Sequence, residues 1–400
     1  MAEPARLAVM DALRGFALLG VFLMNIQFFS HPLKSYAGGV MAQGGVDGAL
    51  ALAIHTLVQG KFWVLFALLF GMGFALLRER TRDAGRPFAG LYLRRLVLLF
   101  LFGAAHIALL WPGDILLTYS LAALGLLLPL RGVAAIAVGA SLFTAVALLW
   151  LLLGIALSFA PDAVTSVSSE MGALQAAGDA AARVYAEGGF AEVTRQRVAD
   201  YSVLFSSAAA FQLPMMLGVF WVGSGLVSSG RFVDPAAHRG FFKKLALAGL
   251  LLGLPVLGAA LAQGTAFDLA TDLAPATLSI SLMTLASLPL ALAYLALFLL
   301  AASTTGAGEM LGRLAPAGRM TLTLYLMQSL LASLVFFGYG FGLYGQLPLW
   351  AMVAFVGVVF ALQLGFARWW FVRFAIGPLE GLWRAGTYLR RPRWRRGAAA

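Results

Sequence analysis

The chain contains no cysteine. That removes disulfide staples, thiolate metal sites and cysteine nucleophiles from consideration. Charge is nearly as scarce. Asp, Glu, Lys and Arg make up 11% of the 400 residues, against about 25% in soluble domains. The 4 histidines, His31, His55, His106 and His238, are scattered along the chain, and no His/Asp/Glu cluster has metal-ligand spacing. There is no Walker A loop and no GxGxxG turn following a strand. These absences argue against ATP-driven transport and against a metal-dependent hydrolase. The apolar runs lack period-two alternation, which excludes β-barrel strands.

What remains is a chain that is 61% hydrophobic, with a mean hydropathy of +0.89. Long apolar runs with so little charge define an all-α integral membrane protein, a polytopic bundle of about ten transmembrane helices, each near the ~20 residues that cross a bilayer core. The spans are expected near 8–29, 50–77, 93–111, 114–130, 133–159, 206–229, 242–263, 275–303, 319–340 and 348–376. The first run carries Asp11 and Arg14, and Ser30-His31-Pro32 offers no small-residue cleavage site, so it reads as a retained span rather than a signal peptide. Gly60-Lys61 interrupts the second run. A surface helix over roughly 47–59, followed by a span from Phe62, is the alternative there.

The net charge of +11 reads as topological, with no nucleic-acid partner implied. Arg78, Arg80, Arg82, Arg86, Arg94, Arg95, Arg231, Arg239, Lys243, Lys244, Arg313, Arg319 and the tail RRPRWRR fall on one side of a ten-span arrangement. The other side holds Lys34, Arg183, Arg195 and Arg197, offset by Asp162, Glu170, Asp179, Glu187, Glu192 and Asp200. The positive side is cytoplasmic. Both termini are therefore expected inside a bacterial cytoplasmic (inner) membrane. The organisation expected is a five-span half (1–159), an external amphipathic helical segment (160–204), a second five-span half (205–385) and a basic cytoplasmic tail (386–400).

Several polar groups interrupt this apolar background. A charge inside a span costs roughly 2.5–3.5 kcal/mol on insertion scales, so Arg14 stands out. Asp11 and Arg14 are spaced to pair on one helix face. Asn25, eleven residues beyond Arg14, returns to nearly the same face at about 100° per residue, giving a polar stripe roughly 20 Å long. The stripe either ties helices together, with Arg14 snorkelling to the surface, or presents a guanidinium to a phosphate or carboxylate. In HIALLWPGDIL, His106 precedes a tight Pro112-Gly113 turn and Asp114 follows it. Asp114 either caps the next helix or folds back to orient His106 as a general base. Lys61 is either interfacial or buried against an anion. Arg319 opens the ninth span, with Tyr325 and Gln328 inside it; such polar residues commonly only join helices. Glu380 and Arg384 are spaced to pair on an interfacial helix.

Read together, these motifs resemble the YeiB family of bacterial membrane proteins. DxxRG with LLGxxLxN is matched by Asp11, Arg14, Gly15 and Asn25. KFxxLFxxLFG is matched at Lys61–Gly71, HxxLLWxGDIL at His106–Leu116, GRMxLTxYLxQ at 318–328 and GPxExLWR at 377–384. The resemblance covers nearly the whole chain, and the ordered set is far more specific than any one motif. The family is similar to a wider group of membrane acyltransferases, which includes the lysosomal heparan-glucosaminide acetyltransferases and the acyltransferase-3 proteins. That similarity implies a cytoplasmic acyl-CoA as donor substrate, no permanently bound cofactor, and a sugar or lipid acceptor presented from outside. Acyltransferase-3 proteins carry a His where this chain has Asn25. The heparan-type enzymes have Asn there and a His about eleven residues on, where this chain has Tyr36, with His31 nearby. The base is therefore expected to be His106, oriented by Asp114. Asp11, Arg14, Asn25, Lys61, Arg319, Tyr325 and Gln328 are the expected substrate-binding set, with no metal. The resemblance is compatible with membrane lipids as partners and with a homo-oligomer. The competing expectations are a transporter or flippase of an anionic lipid or metabolite and a non-catalytic membrane scaffold.

Overall fold

In lipid a backbone without period-two pairing satisfies its N–H and C=O groups only by coiling into helices, and the computed structural model is built that way. It describes residues 3–32, 39, 44–85, 87–160, 177–232, 234–268 and 271–395. In chain order the helices are α1 (Glu3–Phe29), α2 (Gly45–Ala53), α3 (Lys61–Asp83), α4 (Phe88–Leu109), α5 (Leu116–Ala122), α6 (Gly132–Ser158), α7 (Phe190–Val227), α8 (Arg239–Ala262), α9 (Leu273–Ala302), α10 (Thr305–Gly312), α11 (Ala315–Arg319), α12 (Thr321–Phe336), α13 (Leu349–Arg373) and α14 (Pro378–Tyr388). A further helix covers 177–187. Among the described residues the only β features are two isolated bridges. The protein is an all-α polytopic membrane protein.

Among the described residues, eight stretches are long and apolar enough to cross a membrane. The expected fourth and ninth spans are also present as apolar helices, but they are short: Leu116–Leu127 and Thr321–Phe336. At 1.5 Å per residue they reach only about 18 and 24 Å, less than the ~30 Å hydrocarbon core. The first ends because Leu128 turns extended (ψ 142) ahead of Pro129, as residues preceding proline do. The second begins after a break at Met320 (φ −130, ψ 41) and ends where Phe337 turns extended into a glycine-rich turn.

The second run follows the interrupted alternative. α2 continues through a π turn at Ile54–Val58, breaks at Gly60 (φ 81), and α3 starts afresh at Lys61. Asp47 on α2 accepts a hydrogen bond from the Trp350 N–H at the head of α13 (2.8 Å), which fixes α2 at that end. The expected boundary at 205 is not a boundary. α7 runs unbroken for 38 residues from Phe190, with Pro214 accommodated inside it, so its first half is continuous with the sixth span. Its start is fixed by Gly188-Gly189, where the Glu192 carboxylate accepts from the Gly189 N–H (2.9 Å). Residues 161–176, including Asp162 and Glu170, lie outside the described residues, as do Lys34 and Tyr36.

α9 packs along α8 and α6, and α7 along α6 and α3. Small residues set these approaches, as is usual between membrane helices. At Gly71 a Cβ would overlap the Phe220 carbonyl, and at Gly223 the Leu68 carbonyl, so α3 and α7 meet backbone to backbone. α11 lies on α1 in the same manner. A Cβ on Gly318 would overlap the Asp11 carbonyl, and one on Gly15 the Leu314 carbonyl. The basic ends of α3, α4, α11 and α13 gather at one end of the bundle, where α14 crosses them. Arg94 donates to the Thr387 carbonyl (3.0 Å), Trp383 donates to the Arg95 carbonyl (2.9 Å), and Arg319 donates to the Ala375 carbonyl (3.2 Å).

Candidate functional site

The i, i+3 spacing on α1 produces the pair it implies: Arg14 Nη1 donates to Asp11 Oδ1 at 2.7 Å. Neither side chain is fully buried; Arg14 keeps 28% and Asp11 18% of its exposure. What exposes them is a cavity of about 610 Å³ that opens between α1, α3, α4, α12 and α14. At the basic end of the bundle its wall carries Arg14, Arg80, Arg95, Arg319 and Arg384, with Asp11 and Glu380 among them. Further in, the wall turns apolar and aromatic: Leu18 and Val21 on α1, Phe70 and Phe66 on α3, Leu116 and Tyr119 on α5, Tyr325 on α12. From Arg80 to Phe66 the α3 wall is about 21 Å long. The cleft is therefore suited to a ligand with a polyanionic head and a thin, less polar tail, since guanidinium forks bind phosphate and carboxylate bidentately.

α14 closes one side of this mouth. The Arg95 guanidinium stacks 3.6 Å from the Trp383 ring. Glu380 does not pair with Arg384 as its spacing suggests. Its carboxylate instead takes the Thr323 N–H (3.0 Å) and hydroxyl (2.6 Å), while Arg384 lies over Tyr388. Burial pushes the Glu380 carboxyl up from the usual range, and the Thr323 hydrogen bonds oppose that rise.

The second constellation lies at the far end of α4. Eight helical residues would separate His106 and Asp114 by about 12 Å along an axis. The chain instead leaves the helix at Leu110, turns at Pro112-Gly113, and brings Asp114 Oδ2 to 2.8 Å from His106 Nδ1. The other oxygen, Oδ1, accepts the Leu117 N–H at 2.7 Å. Asp114 is thus both the cap of α5 and the partner of His106. Both side chains are fully buried. The remaining imidazole nitrogen, Nε2, lies 2.8 Å from Ser329 Oγ on α12. With Asp114 as carboxylate, Nδ1 carries the proton and Nε2 accepts from the serine hydroxyl. The result is a Ser–His–Asp hydrogen-bonded chain contributed by three segments. Trp111, stacked on Phe29 at 4.2 Å, covers the turn.

His106, Asp114 and Ser329 are not in the cavity wall. Tyr325 is, and its ring lies 5.0 Å from the His106 ring. Ile115 and Leu116, which follow Asp114, also line the cavity. One aromatic side chain therefore joins the cleft's inner end to the buried chain.

Of the expected set, the cleft brings together Asp11, Arg14, Arg319 and Tyr325 and leaves out Asn25, Lys61 and Gln328. Gln328 donates to Gln363 Oε1 (3.0 Å), and Gln363 donates to the Leu324 carbonyl (3.0 Å), a helix-joining pair between α12 and α13. Asn25 is buried in α1. Lys61 is fully buried with no hydrogen-bond partner for Nζ; nearby His55 bonds Gln59 at 2.9 Å. His31, just past the end of α1, bonds the Gln27 carbonyl of that helix. Among the described residues no three His, Asp or Glu side chains are grouped to hold a metal. Arg80, Arg95 and Arg384 entered the sequence reading only as charges that orient the chain or stabilise a helix. Ser329 was missed altogether; the one signal for it is its place one turn beyond Tyr325 on the same helix face.

Fold and site together define a polytopic all-α membrane protein with an arginine-mouthed cleft leading towards a buried Ser–His–Asp chain. No solved structure matches the chain at a significant level. Residues 226–390 match a family described as "Protein of unknown function (DUF418)". The chain is 31% identical to "Uncharacterized protein YxaH" of Bacillus subtilis (strain 168), over 96% of this chain and 94% of that one. It is 28% identical to "Uncharacterized protein YeiB" of Escherichia coli (strain K12), over 96% of each. A third relative, an "Uncharacterized 39.9 kDa protein in amylase 3'region" of Bacillus acidopullulyticus, is 37% identical over 29% of this chain and 31% of its own. The chain belongs to the YeiB family.

Proposed function

We propose that the protein is an integral membrane acyltransferase, taking an acyl group from a cytoplasmic acyl-CoA to a hydroxyl or amine of a sugar or lipid reached from outside. The observation that carries this reading is the cleft itself. Its five arginines suit the phosphates of a CoA, its apolar length suits the pantetheine arm, and its apolar wall includes Tyr325, in contact with a histidine already held by a carboxylate. His106 acts as general base on the acceptor and Asp114 holds its tautomer. Orientation follows from the positive-inside rule: the arginine-rich end and both termini are cytoplasmic, in the inner membrane.

CoA or acetyl-CoA is expected to stabilise the purified wild-type protein by about 2.7 kcal/mol at a hundredfold excess over Kd. Arg14→Gln removes one charge-assisted contact worth about 1.5–3 kcal/mol, so the Kd should rise roughly tenfold to a hundredfold. Folded wild-type protein that shows no CoA-dependent shift in thermal unfolding would overturn the donor assignment. The orientation is checked separately in this cysteine-free chain. Ala191→Cys should react with an impermeant maleimide in intact cells, and Asp83→Cys only after permeabilisation. The reverse pattern would invert the topology.

A second reading, a transporter or flippase of an anionic lipid or metabolite, is favoured by the interruptions at Gly60 and Met320, because broken helices at polar sites are a transporter device. Substrate moved but chemically unchanged would select it; a covalent acyl product would select the transferase.

A further inference from the structure

We propose that Ser329 is the nucleophile that carries the acyl group between donor and acceptor, an inference that rests on the acyltransferase reading above. A serine hydroxyl is a weak nucleophile unless an adjacent base takes its proton and a third group steadies that base. Ser329 has both: Oγ is 2.8 Å from His106 Nε2, and His106 Nδ1 is 2.8 Å from Asp114 Oδ2. A serine that merely joins two helices needs one acceptor, which the carbonyl of residue i−4 or i−3 on its own helix readily supplies. Ser333 on the same helix does this, bonding the Leu330 carbonyl. Ser329 instead reaches across to an imidazole whose positive charge, as it develops, meets a buried carboxylate.

Position supports the same assignment. Tyr325 lines the cleft, and Ser329, buried outside that lining, follows it by one helical turn on the same face. The thioester carbon of a CoA seated on the arginines would arrive at this wall. The cleft opens at the basic end of the bundle, while His106 and the 111–114 turn lie towards the opposite end. A covalent relay lets donor and acceptor use the same imidazole in turn, from two sides, without meeting.

The steps balance without any further reactant. Ser329 Oγ bonds to the acyl carbon, the C–S bond of the thioester breaks, and the serine proton passes through His106 Nε2 to the leaving thiolate, releasing CoA as the free thiol. The acceptor then gives its O–H or N–H proton to Nε2 and attacks the acyl-serine carbon. The ester bond to Oγ breaks, and Oγ takes the proton back.

The test uses the full-length protein in detergent with two probes. A fluorophosphonate, which labels activated serines, should modify wild-type protein at Ser329 by peptide mapping, and should fail on Ser329→Ala and His106→Gln. Radiolabelled acetyl-CoA, quenched in acid within one turnover, should leave acetyl on Ser329 of the wild type and none on Ser329→Ala, whose transfer rate should fall roughly 10³-fold or more. Ser329→Cys guards against misfolding. It supplies the chain's single thiol, and its alkylation by iodoacetamide should proceed at lower pH than in the Ser329→Cys, His106→Gln double variant. Transfer by Ser329→Ala at the wild-type rate would overturn the nucleophile and leave the acyltransferase standing. Labelling at Ser329 in a protein that neither binds CoA nor releases its thiol would keep the nucleophile and remove the CoA donor. Neither labelling nor transfer in folded wild-type protein would overturn both.

Discussion

His106→Gln abolishes acyl transfer at near-normal yield of folded protein: that is the expected result of removing the only base in the buried chain. Glutamine keeps a polar group between Asp114 and Ser329 but cannot take a proton. His106→Ala removes the base as well, and it also takes from the buried Asp114 carboxylate a hydrogen bond worth about 1.5–3 kcal/mol; its lower yield would separate folding from chemistry. Asp114→Asn sharpens the picture because Asp114 has two jobs. The amide oxygen of asparagine still accepts the Leu117 N–H, since Asn caps as well as Asp, so unfolding temperature should hardly move. Its NH₂ group, however, faces Nδ1 and forces the imidazole into the tautomer whose Nε2 is a donor. In a hydrolase triad that error costs about 10⁴ in rate, and the loss here should be large yet smaller than that of His106→Gln. The measurement is turnover with acetyl-CoA alongside thermal unfolding of each variant. Wild-type activity in Asp114→Asn would reduce Asp114 to a helix cap.

Gly318→Val should disable the protein from a different direction. α11 sits on α1 with nothing between Gly318 and the Asp11 carbonyl, so any side chain there must push the two helices apart. Overpacking typically costs about 1–3 kcal/mol, occasionally more, and here the intruding atoms meet backbone, which cannot change rotamer. The neighbours of the displaced contact are Arg319 on one side and the Asp11–Arg14 pair on the other, so the cleft mouth should lose its CoA response together with its stability. Gly306→Val is the control: nothing lies within 4 Å of a Cβ there, and a surface change of that kind stays within about 0.5 kcal/mol. Comparable unfolding temperatures for Gly318→Val and wild type would sink the close-approach argument.

The fold was legible wherever a physical constraint acts along the chain. Apolar runs must become helices in lipid, so the spans and their order could be read directly. The errors fall where a local breaker competes with the run. Pro129 halts the fourth span early, Met320 interrupts the chain just before the ninth, and with no breaker between Phe190 and Pro214 the helix runs across the boundary expected at 205. The site divides in the same way. His106 and Asp114 were readable as a pair because only a Pro-Gly turn separates them, and Asp11–Arg14 because one helical turn does. Ser329 lies 223 residues from His106, and a lone serine in an apolar run carries no pattern. Gln328 looked chemical because its partner, Gln363, is 35 residues away inside another apolar run. Arg80 and Arg95 of the cleft were hidden by their place in the basic loops, where the sequence reads them as topological charges.

The contact between Asp11 and Gly318 also sets a schedule for biogenesis. Roughly 300 residues separate the two, and at about 5–20 residues per second a ribosome needs some 15–60 s to make them. Through that interval α1 sits in the bilayer without the helix it will finally pack against, carrying an arginine that insertion alone would penalise. A counter-charge is available from the outset within α1 itself, through the 2.7 Å bridge from Arg14 to Asp11. The carboxylate that lines the finished cleft thus serves first as an escort, letting the leading helix leave the translocon as a neutral segment and wait for the rest of the chain to be translated.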